Sequence, residues 1–282
     1  MSLPETAAPR GAAAADERVR VEISAHVAEV ALARPAKHNA LDRAMFDALS
    51  AAIDEIAADP AIRAVVLRGE GPSFCSGLDF PSFIAAGTST EELFARRDGE
   101  AANLAQRITH GWRALPVPVL AAIHGACFGG GLQIALAADV RIGAPEARMS
   151  VMEIDYGLIP DMGISQSLPG LVRDDIAREL VYTGRIVAAG EAADIGLLTR
   201  LDDDPVAAAL ALAGEIAARS PDAIRAAKRL IDEGFGRSPA ASLALEEELQ
   251  RSLIGSPNQI AAATAKFSGE PARFEDAGAQ PE

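Results

Sequence analysis

The chain has 282 residues, 49% of them apolar and 23% charged, with a formal net charge of −14. That length supports a sizeable buried core, and the charge repels nucleic acid and anionic lipid, with no Lys/Arg cluster to work against it. Two cysteines, Cys75 and Cys127, are too few for a disulfide framework and point to a reducing cytoplasm; Glu5, Asp16 and Glu17 leave no apolar leader near the N-terminus.

In chain order, residues 1–17 are Ala/Pro/Gly-rich and read as a disordered arm. Arg18–Ser24 and Val27–Ala33 alternate as two strands joined near Ala25 and His26. Asp42 is placed to cap a helix running to about Ala58, with apolar positions at Met45, Phe46, Leu49, Ile53 and Ile56. Ala64–Leu67 is a buried strand, and Glu91–Arg113 reads as one polar helix. Val117–Ala138 carries no Lys, Arg, Asp or Glu and imitates a membrane span. Its Pro118, His124, Gln133 and four glycines fit a buried strand, a Gly turn and a buried helix from Gly131 to Ala138 instead. Short strands follow near Val140–Ile142 and Arg148–Val151. Beyond Leu201 only helices are expected, over Pro205–Ala218, Asp222–Glu233, Ser242–Ile254 and Pro257–Phe267. The chain therefore divides into an α/β core over 18–200, a helical region over 201–274 and a disordered tail over 275–282.

Several common sites are excluded. Neither a Gly-x-Gly-x-x-Gly after a strand nor a P-loop is present, and His26, His38, His110 and His124 lack metal-ligand spacing, so no metal is expected. Gly125-Ala126-Cys127-Phe128-Gly129 imitates a nucleophile elbow with Cys as the nucleophile, the signature of a thiol hydrolase. That arrangement needs a histidine further along the chain, and none follows His124. Cys127 then reads as a small core residue.

Two turns carry more information: Phe74-Cys75-Ser76-Gly77-Leu78-Asp79, after a buried strand, and His124 to Gln133, where a strand passes through glycines into a helix. Glycine admits backbone N–H groups close to a ligand, and a helix N-terminus adds unpaired donors. Brought together, the two turns would make an oxyanion hole. Equally, Gly129 to Gly131 would simply allow close packing of strand and helix.

These segments resemble, in order, the motifs of the crotonase (enoyl-CoA hydratase/isomerase) superfamily. Arg34-Pro35-Ala36-Lys37-His38-Asn39-Ala40-Leu41 resembles the family's early Arg-Pro…Asn-Ala-Leu motif, and Phe74–Asp79 and His124–Gly131 resemble its two oxyanion-hole loops. Glu153 with Gly157 to Gly163 resembles the catalytic stretch, and Leu180–Arg185 with Ala192–Leu197 resembles a later family segment. The resemblance covers about 18 to 274. It implies a spiral of ββα turns with a helical C-terminal region used in trimer assembly, as a homotrimer or a dimer of trimers. It also implies an acyl-CoA substrate, with coenzyme A as part of that substrate and no separate cofactor. The backbone N–H groups of Leu78 and Gly130 would bind the thioester oxygen. Lys37, Ser76, Asp79 and Phe80 would lie along the CoA moiety, with Lys37 as a phosphate partner or simply a solvated surface cation.

The sequence also departs from the family. Hydratases of the family use two glutamates, and Gln133 stands at the first of these positions. Glutamine bonds a water but cannot take its proton. Glu153 is the second, and Asp161 adds an acid where some isomerase-type members carry one. Pro81 replaces a frequent lysine. Structural roles compete for both acids: Glu153 as an ion-pair partner of Arg141 or Arg148, Asp161 as the cap of a short helix near Gly163. The expected chemistry is an enoyl-CoA double-bond shift through an enolate, in competition with hydration of a 2-enoyl-CoA, an acyl-CoA thioester hydrolase and a non-catalytic acyl-CoA binder.

Overall fold

The structure is a computed structural model and describes residues 17–87 and 90–277. The expected arm, except Glu17, and the tail beyond Ala277 lie outside the described residues. The strands β1 (Val19–Ser24) and β2 (Val27–Leu32) pair antiparallel, Val19 opposite Leu32. Ala25 and His26 turn between them with φ of 47° and 67°, the left-handed geometry that suits a two-residue hairpin. Helix α1 (Arg43–Ala58) begins where Asp42 accepts the Met45 N–H at 2.9 Å, and it buries Met45, Phe46, Leu49, Ile53 and Ile56 at the expected spacing.

The middle of the chain repeats a pattern. A strand enters one sheet, an extended segment enters a second sheet, and helix follows. Strand β3 (Ala64–Gly69) leads to an extended segment at 75–78 and helix α2 (Phe80–Ala86). Strand β4 (Val119–Ile123) leads to β5 (Ala126–Phe128) and α5 (Gly130–Leu136), after the intervening α3 (Thr90–Phe94) and α4 (Leu104–Ala114). Strands β6 (Val140–Gly143) and β7 (Arg148–Ser150) make the next turn, leading to a 3-10 turn (Glu153–Tyr156), α6 (Ile164–Ser167) and α7 (Asp174–Thr183). Then come β8 (Val187–Ala188), α8 (Ala189–Asp194) and β9 (Arg200–Leu201). The larger sheet runs β1-β2-β3-β4-β6-β9, parallel from β2 onward; the smaller runs β5-β7-β8. Single bridges from Leu41 to Leu78 and from Cys75 to Cys127 extend the smaller sheet across the turns of the spiral.

The central strands are buried on both faces, which is why they read as unbroken apolar runs. Val65, Leu67, Val119, Ala121 and Ile123 face the inner core with α1, α4 and α5. Ala64, Val66, Leu120 and Ala122 face α9 (Pro205–Ala217), whose Ala209, Ala213 and Ala217 form a thin stripe against the sheet. The first helix after Leu201 is thus packed on the core. Helices α10 (Pro221–Gly234), α11 (Pro239–Leu253) and α12 (Pro257–Ser268) follow.

Three differences from the sequence reading have physical causes. The expected single helix over 91–113 is two, α3 and α4, separated by a turn at Gly99 (φ 79°) and restarted by a reciprocal capping box between Asn103 and Gln106. Helices α10 and α11 start earlier than periodicity suggested, because Ser220-Pro221 and Ser238-Pro239 are cap-then-proline starts, with the serine oxygen accepting the third helical N–H. Finally, Glu275 to Ala277 do not trail away: the Glu275 N–H donates to Asn258 and the Arg63 guanidinium donates to Asp276. Among the described residues no helix is long and apolar enough to cross a membrane; the uncharged stretch is β4, β5 and α5.

Candidate active site

The site forms where two turns of the spiral meet. The 75–78 segment lies between Leu41 and β5: the Leu41 N–H donates to the Gly77 carbonyl, the Asp79 N–H donates to the Leu41 carbonyl, and Cys75 exchanges bonds with Ala126 and Phe128. Both bonds to Leu41 come from the residues flanking Leu78, so the Leu78 N–H points away from Leu41, toward the β5 side. There α5 begins. Gly130 is its first residue, so its N–H has no intrahelical acceptor. A Cβ position at Gly77 lies 3.7 Å from the Gly130 nitrogen, which brings the two donors' segments into contact. Gly129 holds φ 52° and ψ −123°, a backbone only glycine adopts readily, and so turns β5 into α5. At Gly131 a Cβ would stand 2.8 Å from the Cys75 sulfur and 2.6 Å from its carbonyl; the missing side chain lets the helix press onto the neighbouring turn.

Glu153 sits over this junction, its Oε1 3.5 Å from a Cβ position at Gly129. Gln133 is 1% exposed and fully committed: its amide nitrogen donates to Glu153 Oε1 at 2.7 Å, and its carbonyl oxygen accepts the Met162 N–H at 2.9 Å. The other carboxylate oxygen, Glu153 Oε2, is buried and has no protein hydrogen-bond partner. Burial pushes the Glu153 carboxyl up, and the nearby Asp161 adds to the rise. Asp161 keeps an exposed surface, yet the protein around it removes enough water to raise its carboxyl also.

The structural roles that competed for these acids are not adopted. The Arg141 guanidinium donates to the Leu197 and Ala138 carbonyls, and Glu153 forms no ion pair among the described residues. Helix α6 has Gly163 as its N-cap and no side-chain cap, so Asp161 does not cap it. The thiol reading fails on environment. Cys127 is completely buried and burial drives its thiol well upward, while burial pushes Cys75 up to about 12; neither is a thiolate near neutral pH.

The residues expected along the CoA moiety gather at the outer edge of the same turn. The Ser76 N–H donates to the His38 carbonyl and the Ser76 hydroxyl lies 3.4 Å from the Lys37 carbonyl, so the Lys37 segment borders the first turn. Lys37 itself is exposed, with no ion-pair partner among the described residues. The Asp79 side chain is used structurally: it caps α2 through the Ser82 N–H and hydroxyl and accepts from Arg34 at 2.7 Å. Ser82 first, then Arg34, hold its carboxyl down at about 2. Phe80 packs on Tyr156 with ring centroids 4.7 Å apart, linking α2 to the Glu153 turn. A separate cavity of about 850 Å³ between α4, α10 and α11 includes none of these groups, and its Lys228 and Arg113 are paired with Asp139 and Asp232. Among the described residues no cluster of His, Cys, Asp or Glu could hold a metal ion.

The family model described as Enoyl-CoA hydratase/isomerase matches residues 22–268. The chain belongs to the enoyl-CoA hydratase/isomerase family. It is 38% identical over 234 residues to the Bacillus subtilis (strain 168) protein YngF, whose name places it in the same family, covering 81% of this chain and 86% of that protein. It is 36% identical over 217 residues to the mitochondrial Delta(3,5)-Delta(2,4)-dienoyl-CoA isomerase of Mus musculus, covering 72% of this chain and 64% of that one. A crystal structure of enoyl-CoA hydratase from Bacillus anthracis superimposes with a TM-score of 0.83 at 29% identity, covering 91% of this chain and 98% of the other. The protein is therefore an acyl-CoA enzyme of the crotonase superfamily with the crotonase fold.

Two participants are given no role by the sequence. Met162 packs its sulfur over Gly130 and gives its N–H to Gln133, while Thr109, a lone hydroxyl in a polar helix, donates to the Met162 carbonyl. Thr109 belongs to no motif, Met162 lies within the Gly157–Gly163 segment without a role of its own there, and only the folded chain brings the two together at the site.

Proposed function

We propose that the enzyme shifts a double bond in an enoyl-CoA, through an enolate whose oxygen is held by the backbone N–H groups of Leu78 and Gly130. The observation that carries this reading is the state of Gln133. Its amide is held between Glu153 and the Met162 backbone, so that position supplies no base. One carboxylate then remains over the oxyanion turn, with one oxygen fixed and the other without a protein partner. In a 3-enoyl-CoA, Glu153 removes a proton from the α carbon and the charge moves to the thioester oxygen. The same carboxyl returns the proton at the γ carbon, leaving a 2-enoyl-CoA. A group whose carboxyl is raised toward neutrality by burial does both steps well. Asp161, raised for the same reason, lies further along and suits a longer conjugated substrate. The similarity to a dienoyl-CoA isomerase supports this choice. The carrier is coenzyme A within the substrate, and the steps draw on no separate cofactor.

Hydration is the second reading, supported by the similarity to methylglutaconyl-CoA hydratase of Mus musculus, 30% identical over 243 residues. The test is a direct comparison of turnover on 3-enoyl-CoA and 2-enoyl-CoA esters of equal length. A faster double-bond shift supports isomerisation. Water addition that is faster and depends on Glu153 alone replaces it with hydration. Absence of α-proton exchange in heavy water with any acyl-CoA would leave only a binder.

A further inference from the structure

We propose that Thr109 is a positioning residue for this reaction: from the far side of Met162 it locks the segment carrying Asp161 and, through Gln133, fixes the Glu153 carboxylate. The proposal rests on the reading above, in which Glu153 carries the proton.

The geometry is a chain of hydrogen bonds that links three elements through the segment at 161–163. The Thr109 hydroxyl on α4 donates to the Met162 carbonyl. The Met162 N–H donates to Gln133 Oε1 on α5, and Gln133 Nε2 donates to Glu153 Oε1 in the 3-10 turn. Both peptide groups of Met162 are therefore held, one from each side, so Asp161 and Gly163 on either flank cannot drift independently. Gly163 reinforces the lock. It sits at φ 97° with its Cβ position 3.0 Å from the Thr109 oxygen, so the backbone is seated on the hydroxyl and leaves no room for a side chain. Met162 in turn rests its sulfur 2.8 Å from a Cβ position at Gly130, joining the lock to the oxyanion turn.

Thr109 is buried, at 2% exposure, in a helix that otherwise buries apolar groups here: Ala105, Ile108 and Trp112. A hydroxyl that served only local helix satisfaction would need nothing beyond the Gln106 carbonyl at 2.8 Å, the usual back-bond of a helical threonine. Its single proton also faces an acceptor outside the helix, and that acceptor, the Met162 carbonyl, belongs to the residue that follows Asp161.

The role is read by replacing Thr109 with Val, which keeps the shape and removes the donor, and with Ser, which keeps the donor. Because a misplacement of about 1 Å can cost on the order of 100-fold, Thr109→Val should lower kcat on the better enoyl-CoA ester by roughly 10- to 100-fold with KM little changed. The acidic limb of its pH–rate profile should move, because Glu153 loses its fixed partner geometry. Thr109→Ser should recover most of the rate and the wild-type profile. Glu153→Gln is measured alongside. If Glu153→Gln is inactive while Thr109→Val keeps wild-type kcat and pH profile, the positioning role is wrong and the proton carrier stands. If Thr109→Ser is as impaired as Thr109→Val, the hydroxyl is not the cause and the role is again wrong. If Glu153→Gln retains full activity, the reading of the base itself fails, whatever Thr109 does. A folded Thr109→Val that only melts at lower temperature, with kinetics intact, marks a purely structural hydroxyl and overturns the proposal.

Discussion

Glu153 is half-buried, at a cost. Its carboxyl is raised above the ordinary 4.5, so the folded protein holds that proton more tightly than the unfolded chain does. Stability then falls as pH rises from that value through the raised one, and the deficit persists at neutral pH. Glu153→Gln removes the deficit and keeps an oxygen for the Gln133 amide. It should therefore raise the melting temperature at pH 7 while lowering kcat by about 100- to 10,000-fold, the usual contribution of a positioned acid–base group. Loss of rate together with loss of stability would mean that the side chain is structural. Asp79 behaves in the opposite sense. Held at about 2 by Ser82 and Arg34, its charge stabilises the fold above its ordinary 3.8, and that contribution disappears as pH falls through about 2. Asp79→Asn should lower the melting temperature at pH 7 and make little difference near pH 2; equal losses at both would show that the charge is irrelevant. At this scale the sequence shows which side chains stand in the site segments but not what holds them there. Glu153 and Gln133 stood in recognisable segments, but the lock on Gln133 depends on Met162, twenty-nine positions away in the chain and adjacent only after folding.

Among the elements, the two glycine turns were legible because their demand is steric and local. Gly129 needs a left-handed backbone and Gly131 needs no side chain, and both leave a mark in the sequence. What no local pattern encodes is that Gly131 packs on Cys75 of the other turn. Gly130→Pro should lower kcat by about 100- to 1000-fold, since it deletes one N–H donor of the proposed oxyanion hole. Cys127→Ala should leave kcat nearly unchanged, because that buried thiol takes no part in the chemistry. Steady-state kinetics on the folded variants checks both, and an active Gly130→Pro beside an inactive Cys127→Ala would reverse the assignment. The elements that sequence reading misplaced share a cause. The helix expected over 91–113 was broken by Gly99 and a capping box, and α7 and α8 arise in a stretch where only family motifs, not periodicity, were read. Capping signals, more than hydrophobic spacing, set where helices begin here, as the Asp204-Pro205, Ser220-Pro221, Ser238-Pro239 and Ser256-Pro257 starts show.

For the whole molecule, the strands end at Leu201 and the last helices carry an excess of exposed apolar groups. Ile231, Phe235, Leu243, Ile254, Ile260 and Phe267 all face outward on or beside α10 to α12, Phe235 at 80% and Phe267 at 91% exposure. Single exposed apolar side chains are ordinary, but six within these three helices and their linkers mark a surface that gains by being covered. The chain's net charge of −14 opposes self-association at long range, so burial of these side chains is the term that must win. Together with the trimer that the family resemblance implies, this surface leads us to expect a homotrimer, with sedimentation giving three times the 29.2 kDa chain mass, or a dimer of trimers at twice that. Because screening weakens the charge repulsion, added salt should tighten the assembly and not dissolve it. Replacing Phe235 and Phe267 together with Glu should shift the population toward monomer, while far-ultraviolet circular dichroism stays that of the folded chain, since neither side chain contributes to the core. A wild-type protein that sediments only as monomer at micromolar concentration defeats the expectation. A double variant that remains trimeric would place the contact on another face of the molecule.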